Sequence, residues 1–170
     1  MIIRQELPED IDDIRAINEK AFGQPQEAVI VDKLRQNCDE LLSLIAVEKE
    51  KIVGYILFSP ATIEGQHGVI KGMCLAPMAV LPELQRRGIG SQLVKAGLEH
   101  LNKAKCPFVI VLGHPGYYPR FGFEPASRYG IKSLWEGIPD NVFMILWFNK
   151  AMANQVSGVA RYREEFNDAV

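Results

Sequence analysis

Between Val69 and Leu112 the sequence reads as two strands joined by one strongly amphipathic helix. The run from Val69 to Val80 is mostly apolar, and the segment from about Gly88 to Lys103 has apolar residues at three- and four-residue spacing. Phe108 to Leu112 is then a continuous apolar run. A short buried strand after such a helix is typical of a crossover unit, in which the helix covers a sheet. This pattern argues against a helix bundle or a sandwich of strands.

The flanking segments extend this unit into a larger sheet. Ile2 and Ile3 predict a short first strand, and apolar spacing predicts a helix from Ile11 that ends at Gly23, with a second helix after it. We therefore expect an α/β fold (α+β mixed), with a mixed central sheet flanked by helices. Further strands are predicted at Leu42 to Glu48, Ile52 to Phe58 and Val142 to Phe148.

The length of the chain favours one domain. Its 170 residues suffice for a single sizeable core, and neither a repeat nor a linker-like stretch divides them. We expect one domain over residues 1–150, with a C-terminal tail, residues 151–170, packed on the same domain.

Charge and hydropathy narrow the range of partners. Nineteen Lys and Arg against 21 Asp and Glu give a net charge of -2, so the chain lacks the positive footprint of nucleic-acid binding. No apolar run approaches the roughly 18 residues of a spanning helix, and the N-terminus is acidic. The cysteines and histidines show no metal-ligand spacing. We expect a cytoplasmic protein with no metal, no nucleic acid and no membrane partner.

Pro77 lies inside the long apolar run that ends at Val80. A proline has no N–H group to donate to a neighbouring strand. We therefore expect the pairing to stop at Pro77, or the strand to bulge away from its neighbour there.

The segment from Gln85 to Ser91 is a basic, glycine-bearing turn that opens the amphipathic helix. Unpaired N–H groups and the positive end of the helix dipole make such a turn suitable for phosphates, and glycines let an anion approach the main chain. The glycines also have a purely geometric interpretation as turn residues. A dinucleotide-binding fingerprint would need glycine where Leu93 stands, and the Gly-Lys-Ser/Thr of a P-loop is missing.

Two segments in order resemble the GNAT (Gcn5-related) N-acetyltransferase family. Gln85 to Gly90 resembles the family's Q/R-x-x-G-x-G/A acetyl-CoA motif, and Tyr118 to Phe123 resembles its Y-x-x-x-G-F segment. The likeness covers about residues 40–148, and the tyrosine-rich second segment is most similar to the YhbS-like branch.

The resemblance implies a GNAT-like acyl-CoA N-acyltransferase fold with a splayed strand pair. Acetyl-CoA would be the cosubstrate, with its pantetheine laid between the strands that end at Val80 and Leu112. Tyr118 would be the general acid that protonates the departing thiolate; the alternative is a core aromatic with a satisfied hydroxyl. The implied cofactor-binding residues are Ala79, Val80, Gln85, Arg86, Arg87, Gly88, Ile89, Gly90 and Ser91.

The implied reaction is acetyl transfer by direct attack of a primary amine, of a small molecule or a protein, on the thioester. Where many family members have an asparagine, this chain has Gly113 and His114. His114 is an alternative general base, and amine deprotonation through water is another. A non-catalytic acyl-CoA-binding or sensing module is the alternative function, and a homodimer is also left open by the sequence.

Overall fold

The computed structural model describes residues 1–169; Val170, the last residue of the predicted tail, lies outside the described residues. Over that range, no helix is long and apolar enough to cross a membrane. The helices are α1 (Ile11–Phe22), α2 (Gln26–Asn37), α3 (Ile89–Lys103) and α4 (Lys150–Ala153). The strands are β1 (Ile2–Gln5), β2 (Leu42–Glu48), β3 (Lys51–Gly65), β4 (Gly68–Val80), β5 (Phe108–Leu112), β6 (Glu124–Pro125), β7 (Ile131–Ser133), β8 (Phe143–Trp147) and β9 (Gly158–Arg161).

All of these strands belong to one mixed sheet. Its main path runs β1-β2-β3-β4-β5-β8-β6, and β9 pairs with both β3 and β7. The β4–β5 and β7–β9 pairs are parallel, whereas β1–β2, β2–β3, β3–β4, β3–β9, β5–β8 and β6–β8 are antiparallel. The predicted mixed sheet flanked by helices is confirmed, and the β4–α3–β5 crossover contributes a parallel pair.

Hydrophobic side chains pack against both faces of this sheet. In β3, Tyr55 and Leu57 belong to the core that includes residues of α1 and α2, while Ile56 and Phe58 belong to the core beneath α3. Successive side chains of a strand point to opposite faces, which explains why this segment is apolar throughout instead of alternating. The sheet is thus a buried layer between two helical layers.

Three short strands and the end of β3 differ from the sequence-based expectation. The strand predicted to end at Phe58 continues to Gly65, because residues beyond Phe58 pair with β4 and, from Thr62 to Glu64, with β9. Strands β6, β7 and β9 were not predicted, since two to four residues are too few to show a periodic pattern. The predicted tail therefore contributes a strand, β9, that pairs with β3.

Pro77 marks the place where β4 leaves its regular ladder. Leu75 pairs with Phe58 and Met78 with Ile56, so Ala76 and Pro77 together face one residue of β3. This is the bulge that the proline predicted. Over the described residues, β5 pairs with β4 at positions Met73 and Cys74. Beyond Cys74 the two strands are splayed, and each lines a cavity.

A substitution of Gly97 tests the contact between α3 and the sheet. A Cβ atom at Gly97 would lie 2.2 Å from Cε2 of Phe58, a fully buried ring. Gly97→Ala is therefore expected to lower the free energy of unfolding by about 1–3 kcal/mol, although alanine normally favours a helix over glycine. Denaturant titration measures the change.

The double variant Gly97→Ala with Phe58→Leu is the control, because the smaller side chain leaves room for the added methyl group. Its loss should be smaller than the sum of the two single losses. Additive losses would contradict the steric explanation.

Candidate active site

The turn before α3 has the geometry that a phosphate cradle requires. Gly88 has φ 87°, in the left-handed region that favours glycine, and the helix begins at the next residue. The first amides of α3 have no carbonyl partner within the helix and lie at the positive end of its dipole. Because Gly90 has no Cβ atom, it leaves this end of the helix accessible. A Cβ at Gly90 would lie 3.3 Å from Oη of Tyr117 and 3.5 Å from Sδ of Met78.

A cleft of about 780 Å³, the cofactor cleft, lies between this turn and the segment after β5. Its lining includes two cations, Arg86 and Arg120, and among the residues that the structure describes there it contains no carboxylate. The charge of the cleft therefore suits an anionic ligand. The lining residues are Met78, Val80, Leu84, Gln85, Arg86, Gly88, Ile89, Gly90, Ser91, Gly113, His114, Tyr117, Tyr118 and Arg120.

Most of the residues predicted from the sequence lie together in this cleft. Tyr118 and seven of the nine predicted cofactor-binding residues line it. The other two do not: the Ala79 side chain is buried, and Arg87 is exposed outside the lining. The Gln85 side chain donates a hydrogen bond from Nε2 to the Val80 carbonyl, 3.1 Å away. Gln85 thus ties the turn before α3 to the end of β4 and leaves the Val80 carbonyl less available to a ligand.

Two residues that the sequence did not single out complete the wall of the cleft. The hydroxyls of Tyr117 and Ser91 lie 3.1 Å apart, which links the first turn of α3 to the segment after β5. The guanidinium of Arg120 lies 5.5 Å from the centre of the Tyr117 ring. Arg120 lies inside the tyrosine-rich motif. Its basic side chain within that motif is the sequence signal by which it could have been identified as a cleft residue.

Tyr118 is held rigidly at the inner end of the cleft. The residue is 8% exposed, and its ring packs edge-on against Tyr117 and Phe123, at centroid distances of 5.1 and 5.7 Å. Burial, and secondarily the neighbouring Tyr117, raises the pKa of the Tyr118 phenol well above its usual range. The phenol therefore stays protonated at neutral pH, the form that a proton donor requires.

Gly113 explains the departure from the family's asparagine at this position. A Cβ at Gly113 would lie 2.2 Å from Cε2 of Tyr118, so no larger residue fits while the tyrosine ring stays in place. The neighbouring His114 accepts a hydrogen bond at Nδ1 from the Gly116 N–H, 3.0 Å away. Nδ1 of His114 is thus engaged by a main-chain donor, which argues against that nitrogen as the general base.

A second cavity, of about 290 Å³, adjoins the cofactor cleft. Met78 and Tyr118 line both spaces, so the two meet where β4 and β5 are splayed. Its charge differs from that of the cleft: Glu27 is the one charged residue of its described lining. The lining residues are Phe22, Glu27, Ile30, Leu75, Ala76, Pro77, Met78, Leu112, Tyr118, Trp135, Tyr162 and Phe166.

The sequence and the fold identify the family. The family model of the acetyltransferase (GNAT) domain matches residues 3–126 of this chain. The chain belongs to the GNAT acetyltransferase family.

Individual relatives agree with this assignment. The chain is 34% identical to the Escherichia coli uncharacterized N-acetyltransferase YhbS over 168 residues, which cover 98% of this chain and 99% of YhbS. It is 44% identical over 120 residues to the Escherichia coli uncharacterized N-acetyltransferase YjhQ, covering 69% of this chain and 66% of YjhQ.

Solved structures are similar over nearly the whole chain. The crystal structure of Escherichia coli YhbS in complex with CoA has a TM-score of 0.90 at 34% identity, covering 98% of this chain and 91% of that one. A GNAT acetyltransferase from Brucella melitensis, solved in complex with acetyl-CoA, has a TM-score of 0.81 at 33% identity. The match covers 98% of this chain and 97% of that one. The predicted fold, with its splayed strand pair, is therefore that of solved family members.

Proposed function

We propose that this protein is an acetyl-CoA-dependent N-acetyltransferase in which a primary amine attacks the thioester directly. The observation that carries the proposal is the junction of two cavities of different charge at Tyr118. The cationic cleft suits the phosphates of CoA, and the second cavity suits the acceptor amine. We further propose that one domain, residues 1–150 with the tail packed on it, carries both.

The residues of the cofactor cleft fit acetyl-CoA in shape and charge. The free amides at the start of α3 would cradle the pyrophosphate, and Gly88 and Gly90 would let it approach the main chain. Arg86 and Arg120 line the same space and would balance the phosphate charge. The unpaired edge of β4 after Cys74 would align the pantetheine, since β5 no longer occupies it. When bound, acetyl-CoA supplies the activated acetyl thioester.

Tyr118 would supply the proton that the leaving thiolate needs. The neutral amine forms a C–N bond to the acetyl carbon, and the C–S bond breaks. The sulfur takes a proton from the Tyr118 hydroxyl, which recovers one from solvent, while the nitrogen loses its extra proton through water. Holding the amine and the thioester on opposite sides of Tyr118 contributes proximity and orientation.

Calorimetric titration with acetyl-CoA, followed by an assay of free thiol with a panel of amines, tests this function. We expect binding, and amine-dependent thiol release above the hydrolysis background. Binding without release for any amine would favour the alternative, a non-catalytic acyl-CoA-binding or sensing module. No binding at all would contradict both. A cytoplasmic location remains a prediction, and a homodimer remains an open possibility of the sequence.

A further inference from the structure

Tyr117 contacts both walls of the cofactor cleft. Its hydroxyl lies 3.1 Å from the hydroxyl of Ser91, in the first turn of α3. The guanidinium of Arg120, which belongs to the segment after β5, lies 5.5 Å from the centre of the Tyr117 ring. Ser91 and Arg120 both line the cleft, and both carry polar hydrogens that suit an anion. One side chain therefore holds two hydrogen-bond donors that come from different segments of the chain.

The pair of hydroxyls keeps one proton free. Two hydroxyl groups carry two protons, and the hydrogen bond between them uses one, whichever of the two is the donor. Among the described residues, neither hydroxyl has another protein partner. The start of α3, with its free amides, lies beside this pair, since a Cβ at Gly90 would be only 3.3 Å from Oη of Tyr117. This corner of the cleft thus concentrates donors, and an anion with several oxygens is the ligand that satisfies them.

A short helical turn and the Tyr117 ring together orient Arg120. The Arg120 N–H donates to the Tyr117 carbonyl at 3.2 Å, at the start of a 3₁₀ turn that spans Tyr118–Phe121. Residues three apart in such a turn lie on the same side, which brings the guanidinium over the ring. No carboxylate of the described lining competes for this guanidinium. An exposed arginine otherwise samples many rotamers, so the ring keeps the charge of Arg120 at the cleft.

We propose that Tyr117 is a positioning residue for the pyrophosphate of acetyl-CoA. Its hydroxyl orients the hydroxyl of Ser91, and its ring orients the guanidinium of Arg120, so that both groups donate to phosphate oxygens. This inference rests on the proposed acetyltransferase function and gives a role to a residue outside both family motifs. The ring of Tyr117 also packs edge-on against Tyr118, so the phosphate site and the proposed proton donor share one wall.

Calorimetric titration of Tyr117→Phe with three ligands tests the hydroxyl. CoA and dephospho-CoA both carry the pyrophosphate, whereas pantetheine carries no phosphate. We expect the Kd for CoA and the Kd for dephospho-CoA to rise by the same factor, about threefold to tenfold. The Kd for pantetheine, measured by competition with CoA, should stay at the wild-type value, because only the phosphate contacts change.

Three results with this variant would contradict the proposal. An unchanged Kd for CoA would show that the hydroxyl does not serve the phosphates. An equal loss of affinity for pantetheine would show a merely structural role in shaping the cleft. A loss with CoA that disappears with dephospho-CoA would assign Tyr117 to the 3′-phosphate instead of the pyrophosphate.

A double-mutant cycle tests whether Tyr117 acts through Ser91. Ser91→Ala and Tyr117→Phe should each weaken CoA binding, and the double variant should lose less than the product of the two factors. The reason is that each single variant already breaks the pair of hydroxyls. Ser91→Thr, which keeps a hydroxyl, should bind CoA more tightly than Ser91→Ala. Fully multiplicative losses would overturn the coupling of the two residues.

The role of the ring is tested through Arg120. Arg120→Ala should weaken CoA binding by a similar factor in the wild type and in Tyr117→Phe, because phenylalanine keeps a ring beneath the guanidinium. In Tyr117→Leu, which has no ring, the same substitution should have a smaller effect, because the guanidinium is no longer held at the cleft. An equal effect of Arg120→Ala in all three backgrounds would overturn the role of the ring.

Tyr129→Phe is the matched control, since the Tyr129 hydroxyl donates to Glu124 and lies outside both cavities. Its Kd for CoA should equal that of the wild type, and a rise as large as that of Tyr117→Phe would overturn the specific role of Tyr117. Acetylation of an amine by the wild type, with an unchanged Kd in Tyr117→Phe, would overturn this inference alone. Absence of CoA binding by the wild type would contradict the proposed function and the inference together.

Discussion

Tyr118→Phe is expected to lower kcat about a hundredfold or more while leaving the Kd for acetyl-CoA within about twofold. General acid catalysis by a positioned side chain typically contributes at least about two orders of magnitude, and phenylalanine keeps the ring but removes the proton. The ring of Tyr118 packs against Tyr117, Phe123 and Gly113. Because phenylalanine has the same ring, the variant keeps these contacts and preserves the wall of the cleft. Steady-state kinetics with saturating amine, and calorimetry with acetyl-CoA, measure the two quantities.

The pH dependence gives a second check on Tyr118. Because burial raises the pKa of this phenol, it remains protonated up to and beyond the usual tyrosine value of about 10. Wild-type kcat should therefore not decline with loss of this proton between neutral pH and about pH 9. Tyr129→Phe, which removes a hydroxyl outside both cavities, should keep the wild-type kcat. Full kcat in Tyr118→Phe would remove Tyr118 from the mechanism.

Gly90→Glu is expected to abolish measurable binding of acetyl-CoA, a loss of at least about a hundredfold in affinity. A side chain at this position extends from the first turn of α3 toward Tyr117 and Met78, into the space of the cofactor cleft. Its carboxylate would add repulsion to the phosphates in place of the favourable helix dipole. Calorimetric titration of the wild type and the variant measures the loss.

Two further substitutions at Gly90 separate bulk from charge. Gly90→Ala adds a single carbon 3.3 Å from Oη of Tyr117, a close contact that a small shift relieves, so most of the affinity should remain. Gly90→Gln has the bulk of glutamate without the charge and should lie between the two. Acetyl-CoA binding by Gly90→Glu with near wild-type affinity would show that the phosphates lie elsewhere.

The sequence predicted the central unit of the fold well because its signals are local. The periodicity of α3 and the apolar run of β5 follow from which side chains must face the sheet, and both elements lie within one residue of the expected bounds. Pro77 likewise predicted a bulge from its missing N–H group alone. Most of the predicted cofactor-binding residues lie in a single turn, so one local motif was enough to bring them into the cleft.

Other features have no local signal. Strands β6, β7 and β9 are too short for a pattern, and β3 continues beyond Phe58 because β4 and β9 offer partners there. No local pattern connects Tyr162 with Tyr118, which lies 44 residues earlier in the chain, although both line the second cavity. Arg120 and Tyr117 face the cleft because of the turn after β5, which sequence periodicity does not describe.

The sequence by itself thus determined the mixed α/β architecture and the basic, glycine-bearing turn at the start of α3, and its resemblance to the GNAT family made Tyr118 the candidate acid. These depend on hydrophobic period, glycine conformation and a short motif, all of which act within a few residues. Only the tertiary structure decided that two cavities of different charge meet at Tyr118, and that the tail contributes Tyr162 and Phe166 to the lining of one of them. The physical reason is that cavities arise from packing between distant segments, and no single segment encodes them.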